Sequence, residues 1–455
     1  PWALKWAKHV KARLPTPIVF GNVHPTFNAA EVLHEEGVDY VVRGEGEWPL
    51  LELVEILEGK RRPKDVLGIG YKEEGVPKVN AMRPLIEDLD TLPYPDKDLY
   101  YDVMPYLNQG YTTMSGRGCP YKCTFCDNNT SMQLYKTESA KKQKWTRRHS
   151  PQYVVDEILW AKNRYGIKHV RFNDEDFSYD KKWIREFAPL YKEKVGIPYF
   201  AWVYPNTIDD EIAALLADSG CDAVEMGIQS GSSALRNDVL HRKTKDEQIL
   251  NAMQALRKNK IRATVDIIIG LPTETKDDLD ETVRLLAKAR PWHLYAFWLR
   301  YYPSTEILTI AKERKLLTPE QIVKLESGEQ SRGHIAGGTE LEKDKLSRSY
   351  HAFIVLLPLM PVAMINFFVD YNLIRFFPTW FNPFVMVNIT KMIKRDKYNE
   401  FRVRGRSMLW VESKQIFNKA LGRLKMAFVR NDETDAPPPS ALNVAQSKFH
   451  QLLSK

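Results

Sequence analysis

Three of the four cysteines in this 455-residue chain crowd into one short stretch, as Cys119, Cys123 and Cys126. Thiolate sulfur is a soft ligand that selects iron–sulfur, zinc or copper(I) centres. Three thiolates this close in sequence suit a single polynuclear iron–sulfur cluster. A structural zinc site or a set of buried thiols is the plain alternative, but zinc sites usually close with four ligands in paired spacings. No fourth ligand lies near, since Cys221 is far downstream and His149 follows a long polar insertion. Three ligands on a four-iron cluster leave one iron open, and an open iron can bind and activate a small molecule.

The elements that must position this loop are legible around it. From residue 111 to about 302, strands and helices alternate regularly. Strands are expected at 111–115, 169–174, 198–204, 223–228, 264–270 and 294–301, the first five each followed by an amphipathic helix. Val154, Val155, Ile158 and Leu159 give the first helix its apolar stripe, with Ser150 starting it and Pro151 at its first position. Thr244-Lys245-Asp246-Glu247 reads as a capping box for another. Six such units imply a parallel sheet with right-handed crossovers. Barrel sites form at the carboxyl ends of strands, and the cysteine loop follows the first of them.

Cys-x3-Cys-x2-Cys with aromatic Phe125 just before the last cysteine resembles the signature of the radical S-adenosylmethionine (SAM) enzymes. The resemblance implies a partial (β/α)6 barrel. It implies that Cys119, Cys123 and Cys126 hold a [4Fe–4S] cluster whose open iron chelates SAM through its amine and carboxylate. The reduced cluster would pass one electron to the sulfonium, and a 5′-deoxyadenosyl radical would remove an unreactive hydrogen. An external electron donor such as flavodoxin or ferredoxin is implied, and an open, reduced cluster should be oxygen-sensitive.

The same resemblance assigns SAM contacts at the strand ends, with Phe125 beside them. Asp174-Glu175-Asp176 stands where the family hydrogen-bonds the methionine ammonium, and the choice within the trio is open. Gly227-Ile228-Gln229-Ser230-Gly231 resembles the family's Gly-Ile-Glu/Gln-Ser-Gly, which puts Gln229 and Ser230 against SAM. Arg242 matches the basic residue that meets the methionine carboxylate, with Lys243 the competing choice. Gly270-Leu271-Pro272-Thr273-Glu274-Thr275 is similar to Gly-Leu-Pro-Gly-Glu-Thr, and Asp266 before it suits a ribose hydroxyl. Taken singly, each strand-end carboxylate is as well explained as a cap or a solvated group. Trp202, Tyr204, Trp298, Arg300 and Tyr302 are candidates for the substrate cavity, or for ordinary core and inter-domain packing.

Residues 1–83 read as part of a doubly wound α/β domain ending in a hairpin at 67–79. Helices are expected at 2–14, at 28–36 with Asn28 as N-cap, and up to residue 57, with strands at 17–20 and 40–42. The loops carrying Gly21, His24 and Thr26, and Gly44, Glu45 and Gly46, resemble two loops of the cobalamin-binding domain that precedes many radical SAM domains. Only the last two strand–helix units of that domain are matched, so the cobalt's axial ligand is not legible, and His24 is expected to brace its loop. Pro1 is not an initiator residue, and the chain is expected to be a processed or incomplete version of a longer one.

A linker rich in Asp, Pro and Tyr is expected over 84–105, the barrel over 106–305, a helical, hydrophobic and basic region over 306–430, and a flexible tail over 431–455. The fold class is therefore α/β, with a mostly helical C-terminal region. The apolar run 352–369 contains Pro358 and Pro361, which argue against a transmembrane helix and leave a membrane-facing segment or packing on the barrel. Twelve basic and three acidic residues between 391 and 430 carry a charge of +9 against +8 for the whole chain, so the rest is almost neutral, which favours an anionic membrane surface over nucleic acid. There is no nucleic-acid motif. Four cysteines with three in one cluster leave no disulfide framework, so a cytoplasmic protein is expected, peripheral on the inner membrane face.

Together these features predict a cobalamin-dependent radical SAM methyltransferase acting on a hydrophobic or membrane-associated small molecule. An oxidative cyclase like the anaerobic magnesium-protoporphyrin ester cyclase, which shares the domain order, is the alternative. A cobalamin- or membrane-binding module with an inactive barrel is a third reading, and the intact cysteines argue against it.

Overall fold

The computed structural model describes residues 2–139, 141–326 and 344–379, with scattered further positions up to 394. These belong to one compact unit, Pro1–Asp396, while Lys397–Lys455 lies outside the described residues. Most of the basic stretch at 391–430 and all of the tail at 431–455 therefore fall outside them.

The N-terminal part runs α1 (Trp2–Lys11), β1 (Val19–Phe20), α2 (Val23–Phe27), α3 (Ala29–His34), β2 (Tyr40–Val42), α4 (Glu47–Leu57), β3 (Ile69–Glu73) and β4 (Val76–Val79). β1 and β2 are parallel, and the β3–β4 hairpin continues the sheet antiparallel from β2. Leu33, Val38 and Val41 form a small core with Phe20 on one side. Val42, Leu53, Ile69 and Tyr71 form another. The expected elements are present, with one addition. Residues 23–27, expected as loop, form α2, because the Asn22 side chain accepts from Val23 N at 2.6 Å and caps it. Asn28 does sit at the N-cap of α3, yet its side chain donates back to His24 O at 3.2 Å instead of capping forward.

After α5 (Asp98–Val103) comes the barrel: β5 (Tyr111–Thr113), β6 (Gly116–Arg117), α6 (Asp127–Glu138), β7 (Arg147–Arg148), α7 (Pro151–Tyr165), β8 (Val170–Phe172), α8 (Lys181–Lys194), β9 (Tyr199–Val203), α9 (Asp210–Asp218), β10 (Cys221–Gln229), α10 (Asp246–Lys258), β11 (Arg262–Ile269), α11 (Lys276–Ala289) and β12 (His293–Trp298). Six strands pair in the order β12-β11-β10-β9-β8-β5, every pair parallel. Each strand sits beside its neighbour in sequence, the arrangement that right-handed βα units give. Alternation along the strands sorts the side chains. Tyr199, Ala201, Val203, Val224, Met226, Val265 and Ile267 are buried in the main core beneath the helices, where each large apolar side chain contributes roughly 1.5–3 kcal/mol. Residues of the opposite parity, among them Phe200, Trp202, Glu225 and Asp266, face the concave side.

Ser150 caps α7 through Tyr153 N at 3.1 Å, with Pro151 first in the helix and Gly166 ending it at φ 62°. The capping box of α10 begins one residue later than expected. Lys245 is the N-cap and its N–H donates to the Gln248 side chain at 2.9 Å, while Thr244 turns inward to the Tyr204 hydroxyl.

Among the described residues the helices α12 (Glu306–Glu313), α13 (Pro319–Glu326), α14 (Lys345–Ile354) and α15 (Val362–Asp370) follow. A 3₁₀ turn at Leu357–Leu359 breaks the apolar run between the last two, where Pro358 cannot continue a helix. Among the described residues no helix is long and apolar enough to cross a membrane. α15 packs on α11, and α14 packs on β12 through His351 Nε2 against Ala296 O at 2.8 Å.

Candidate active site

The cysteine loop is held from three sides. Its entry is the β6–β7 ribbon, where Gly118 takes φ 83° with the Trp145 carbonyl so close that a Cβ would lie 2.5 Å from it. From α6, Asn128 accepts the Cys119 N–H at 3.3 Å and the Trp145 indole N–H at 2.8 Å. From the far side of the barrel, Thr124 donates to Val239 O at 2.7 Å and to Leu240 O at 3.2 Å, and accepts Ile307 N at 2.9 Å. Cys123 is buried, and Cys119 and Cys126 are partly so. Burial pushes the Cys119 and Cys126 thiols up to about 12. Among the described residues no three His, Cys, Asp or Glu side chains converge on a single ion. A polynuclear cluster takes its thiolates at separate corners and requires no such convergence.

A stack of rings joins the loop to the barrel wall. Tyr121, inside the cysteine motif, lies 3.6 Å from Tyr204 in a near-parallel stack, and the Arg242 guanidinium sits 4.0 Å over the other partner, Tyr204. Arg242 donates to Cys123 Sγ at 3.4 Å and to Gly227 O, leaving a buried Nε without a partner. Lys243, the competing choice, has its carbonyl on Asn206 Nδ2.

The acidic trio divides in space. Asp174 is fully engaged: it accepts Ser115 N at 3.0 Å and Ser115 Oγ at 2.5 Å, with Arg148 3.7 Å away. Asp176 Oδ1 accepts from Ser178 N and Oγ, whereas its buried Oδ2 has no partner. Burial lifts its carboxyl to about 6. Glu175 is exposed at the rim of the concavity and accepts Asn128 Nδ2 at 3.1 Å. Partial desolvation by the surrounding rim, with Asp174 and Asp127 repelling the charge, raises this carboxyl to about 7.

At the end of β10 a bulge lies between Gly227 and Gln229, and Gln229 takes φ 72°. A Cβ on Gly227 would meet Gln229 Nε2 at 2.3 Å. Ser230 is buried and accepts Ser232 N at 3.2 Å, while Gly231 lies against the Thr282 backbone of α11. Asp266 faces Glu225 from the next strand, and its buried Oδ1 has no partner. Burial, with Glu225 beside it, holds its carboxyl well above the usual range. Phe125 instead packs into a second core around Leu240, Leu271 and Ile307. The remaining cavity candidates separate too. Trp202 and Tyr204 line the inner face, Trp298 packs outward on His351 at 4.9 Å, and Tyr302 is exposed.

In the N-terminal loops, Gly21 and His24 are exposed, and His24 touches Asn28 at 3.2 Å. Thr26 Oγ1 accepts Gly44 N at 3.0 Å, tying the two loops together. Gly44 has φ 69° and the Tyr135 hydroxyl packs onto it, so a Cβ there would lie 2.0 Å from that oxygen. Glu45 accepts Arg117 Nη1 at 2.9 Å, Arg147 Nη2 at 2.9 Å and Ile86 N at 2.8 Å. Gly46 precedes α4 in helical conformation.

Sequence reasoning passed over Tyr121, Arg148, Glu225 and Tyr135. Tyr121 and Glu225 carried a signal, the first by lying inside the cysteine motif and the second by lying two residues before Gly227 on the same face. Arg148 and Tyr135 carried none.

Similarity to known proteins fits this geometry. The model of the Radical SAM superfamily matches residues 113–286. A protein of Pyrococcus horikoshii named an uncharacterized methyltransferase is 30% identical over 326 residues, which is 68% of this chain and 68% of that one. The chain belongs to the radical SAM superfamily. The anaerobic magnesium-protoporphyrin IX monomethyl ester cyclase of Rubrivivax gelatinosus is also 30% identical, over 66% of this radical SAM chain but only 53% of the cyclase. The chain thus spans about half the length of that relative. The radical SAM methyltransferase TsrM of Kitasatospora setae, solved with cobalamin and a [4Fe–4S] cluster, shares the fold with a TM-score of 0.56 at 18% identity, over 70% of this chain and 64% of that one.

Radical SAM enzymes work with a [4Fe–4S] cluster and SAM, and the residues present suit both. SAM offers an ammonium, a carboxylate and ribose hydroxyls. Around the cysteine loop the protein holds a buried carboxylate oxygen on Asp176, a buried N–H on Arg242 and a buried oxygen on Asp266, each lacking a protein partner. Buried polar atoms left this way cost about 1–3 kcal/mol apiece, a cost that a ligand of complementary groups removes.

Proposed function

We propose that this radical SAM enzyme transfers a methyl group to an unactivated carbon of a hydrophobic small molecule, with cobalamin as methyl carrier. The observation that carries the substrate class is the inner face of the barrel. Phe200, Trp202, Tyr295 and Phe297 line it on the same side as Gly227, Gln229 and Asp266, and Phe297 remains 42% exposed. Aromatic surface of this kind binds apolar substrates and keeps water from a reactive site. Methyl transfer is supported by the Pyrococcus relative's name, and cobalamin by the TsrM structure. Of the two N-terminal loops, only the one at 21–26 is open to a ligand, through Gly21 and His24; Gly44 and Glu45 are engaged by the barrel.

When bound, the cluster and SAM supply one-electron cleavage of a carbon–sulfur bond, chemistry that no side chain provides. The chain supplies the rest. Cys119, Cys123 and Cys126 hold the cluster. Asp176, with Glu175 at the rim, accepts from the methionine ammonium, Arg242 meets the carboxylate, and Gln229, Ser230 and Asp266 receive the remaining polar groups. The aromatic face orients the substrate. An external one-electron donor completes the set.

The test is anaerobic reconstitution with iron and sulfide, then reaction with SAM labelled at its methyl group under reductant. Formation of 5′-deoxyadenosine with label in the product is expected. Three relatives named as cyclases support a second reading, oxidative cyclisation, which yields 5′-deoxyadenosine and an unlabelled product. A chain that retains only zinc and cleaves no SAM refutes both.

A further inference from the structure

At the opposite end of the barrel from the cysteine loop is a cleft of about 470 Å³ that the reaction does not use. It lies where β11 begins, between the C-terminal ends of α10 and α11 and the segment around α15. Among the described residues lining it, Arg257, Lys260, Arg262, Arg290 and Lys394 are cations and none is acidic. Its apolar walls come from Met253, Leu357, Met360, Val362 and Ile365.

Part of this charge has a local purpose, because cations at helix C-termini complement the helix dipole. Arg257 does so through Ala289 O at 2.5 Å, and Arg262 pairs with Asp222 at 2.8 Å. That account leaves out Lys394, which comes from the C-terminal extension, donates to Trp292 O at 2.7 Å and lies 4.8 Å over the Trp292 ring. Burial, and then the positive charge of Arg290, pull Lys394 down to about 8, the mark of a cation short of negative charge. Trp292 Nε1 is buried in the same wall without a partner. Side chains that only donate, set in apolar walls, suit a ligand with an anionic head and an apolar body.

The surface beside the cleft extends the pattern. Met364, Phe367 and Tyr371 fall on one stripe of α15 and its end, opposite the side that packs on the barrel, and are 47%, 51% and 67% exposed. The chain's own continuation is a poor occupant for a basic cleft, because twelve of the residues between 391 and 430 are basic and three acidic.

We propose that this cleft seats the head group of an anionic phospholipid at a membrane surface, with the Met364–Phe367–Tyr371 stripe in the lipid interface. Apolar side chains beside a basic patch are the combination that binds such surfaces, whereas a nucleic acid has no use for the stripe. The inference is independent of the methyl-transfer reading.

The test is flotation of the full chain with vesicles of phosphatidylcholine alone, or with about one third phosphatidylglycerol added, an anionic surface of the kind that attracts basic segments. Wild type is expected to float with the anionic vesicles only. Arg290→Gln with Lys394→Gln is expected to weaken binding roughly 30-fold, the effect of two basic residues at ~1 kcal/mol each. Phe367→Ser with Tyr371→Ser is expected to weaken it independently, in high salt as well as low. Unchanged circular dichroism melts and SAM cleavage show that the variants remain folded. Absence of flotation, flotation that neither pair of substitutions affects, or displacement by inorganic phosphate or by RNA at equal charge overturns the proposal.

Discussion

Arg242 is the residue on which most of the site converges, touching the cluster loop, the β10 bulge and the Tyr204 ring together. Its planar fork makes these contacts at once, and an ammonium cannot. Arg242→Lys is therefore expected to raise the KM for SAM about 10- to 100-fold, the effect of one or two lost charge-assisted hydrogen bonds, with iron content unchanged. Steady-state kinetics beside an iron assay checks this. Asp176 makes a different trade. Its carboxyl is raised by burial to about 6 from 3.8, so the folded chain holds this proton more tightly than the unfolded chain. The stability it contributes is whole below about pH 4 and lost as pH rises through about 6. Asp176→Asn removes the ionisation, and the cofactor-free variant is expected to melt higher than wild type at pH 7.5, by on the order of 2–3 kcal/mol of stability, and alike at pH 4. Its affinity for SAM should fall. The sequence located this trio but not the division of labour within it, because Ser115 and Thr207, which help to fix Asp174 and Asp176, come from two other segments.

Among the elements, the six barrel strands were legible because strand and helix patterns alternate regularly from 111 to about 302, even where, as in β5 and β8, the strand itself is three residues. The β6–β7 ribbon is two residues on each side and the π-helical turn Leu235–Val239 a single turn, too short for any period. The glycines after β10 were legible as a group, yet they do separate jobs. A Cβ on Gly231 would meet the Thr282 backbone at 2.2 Å, and backbone cannot step aside. Gly231→Ala is expected to lower soluble yield and the melting temperature sharply, by more than the 1–3 kcal/mol of ordinary overpacking. A Cβ on Gly227 would meet the far ends of the Gln229 and Arg242 side chains and no backbone, so Gly227→Ala should fold and lose SAM affinity. Thermal melts and SAM binding measured on both variants separate the two roles.

Across the whole molecule, Glu45 couples the N-terminal sheet to the cluster loop, since Arg117 and Arg147, which it pairs, form the ribbon that leads into Cys119 and back out. Glu45→Gln leaves Arg147, whose side chain is 7% exposed, without its countercharge. Breaking such a pair costs about 3–5 kcal/mol, and a melting temperature lowered by several degrees at pH 7 is expected, with less change in Glu47→Gln, whose more exposed carboxylate on α4 pairs with Arg117. This role was hidden in the sequence behind the cofactor-loop resemblance, and only the approach of Tyr135 and Arg147 from distant segments reveals it. The apolar run at 352–369 was legible as unusual, but its division into two packed helices depended on surfaces of α11 and β12 that no local pattern describes.

Among the described residues, the first and last strands of the large sheet do not pair with each other, so the wall of the barrel has a seam running its length. A closed cylinder admits a molecule only at its mouth. An open sheet leaves the outer edges of its first and last strands to be covered by other segments, as β12 is by α14.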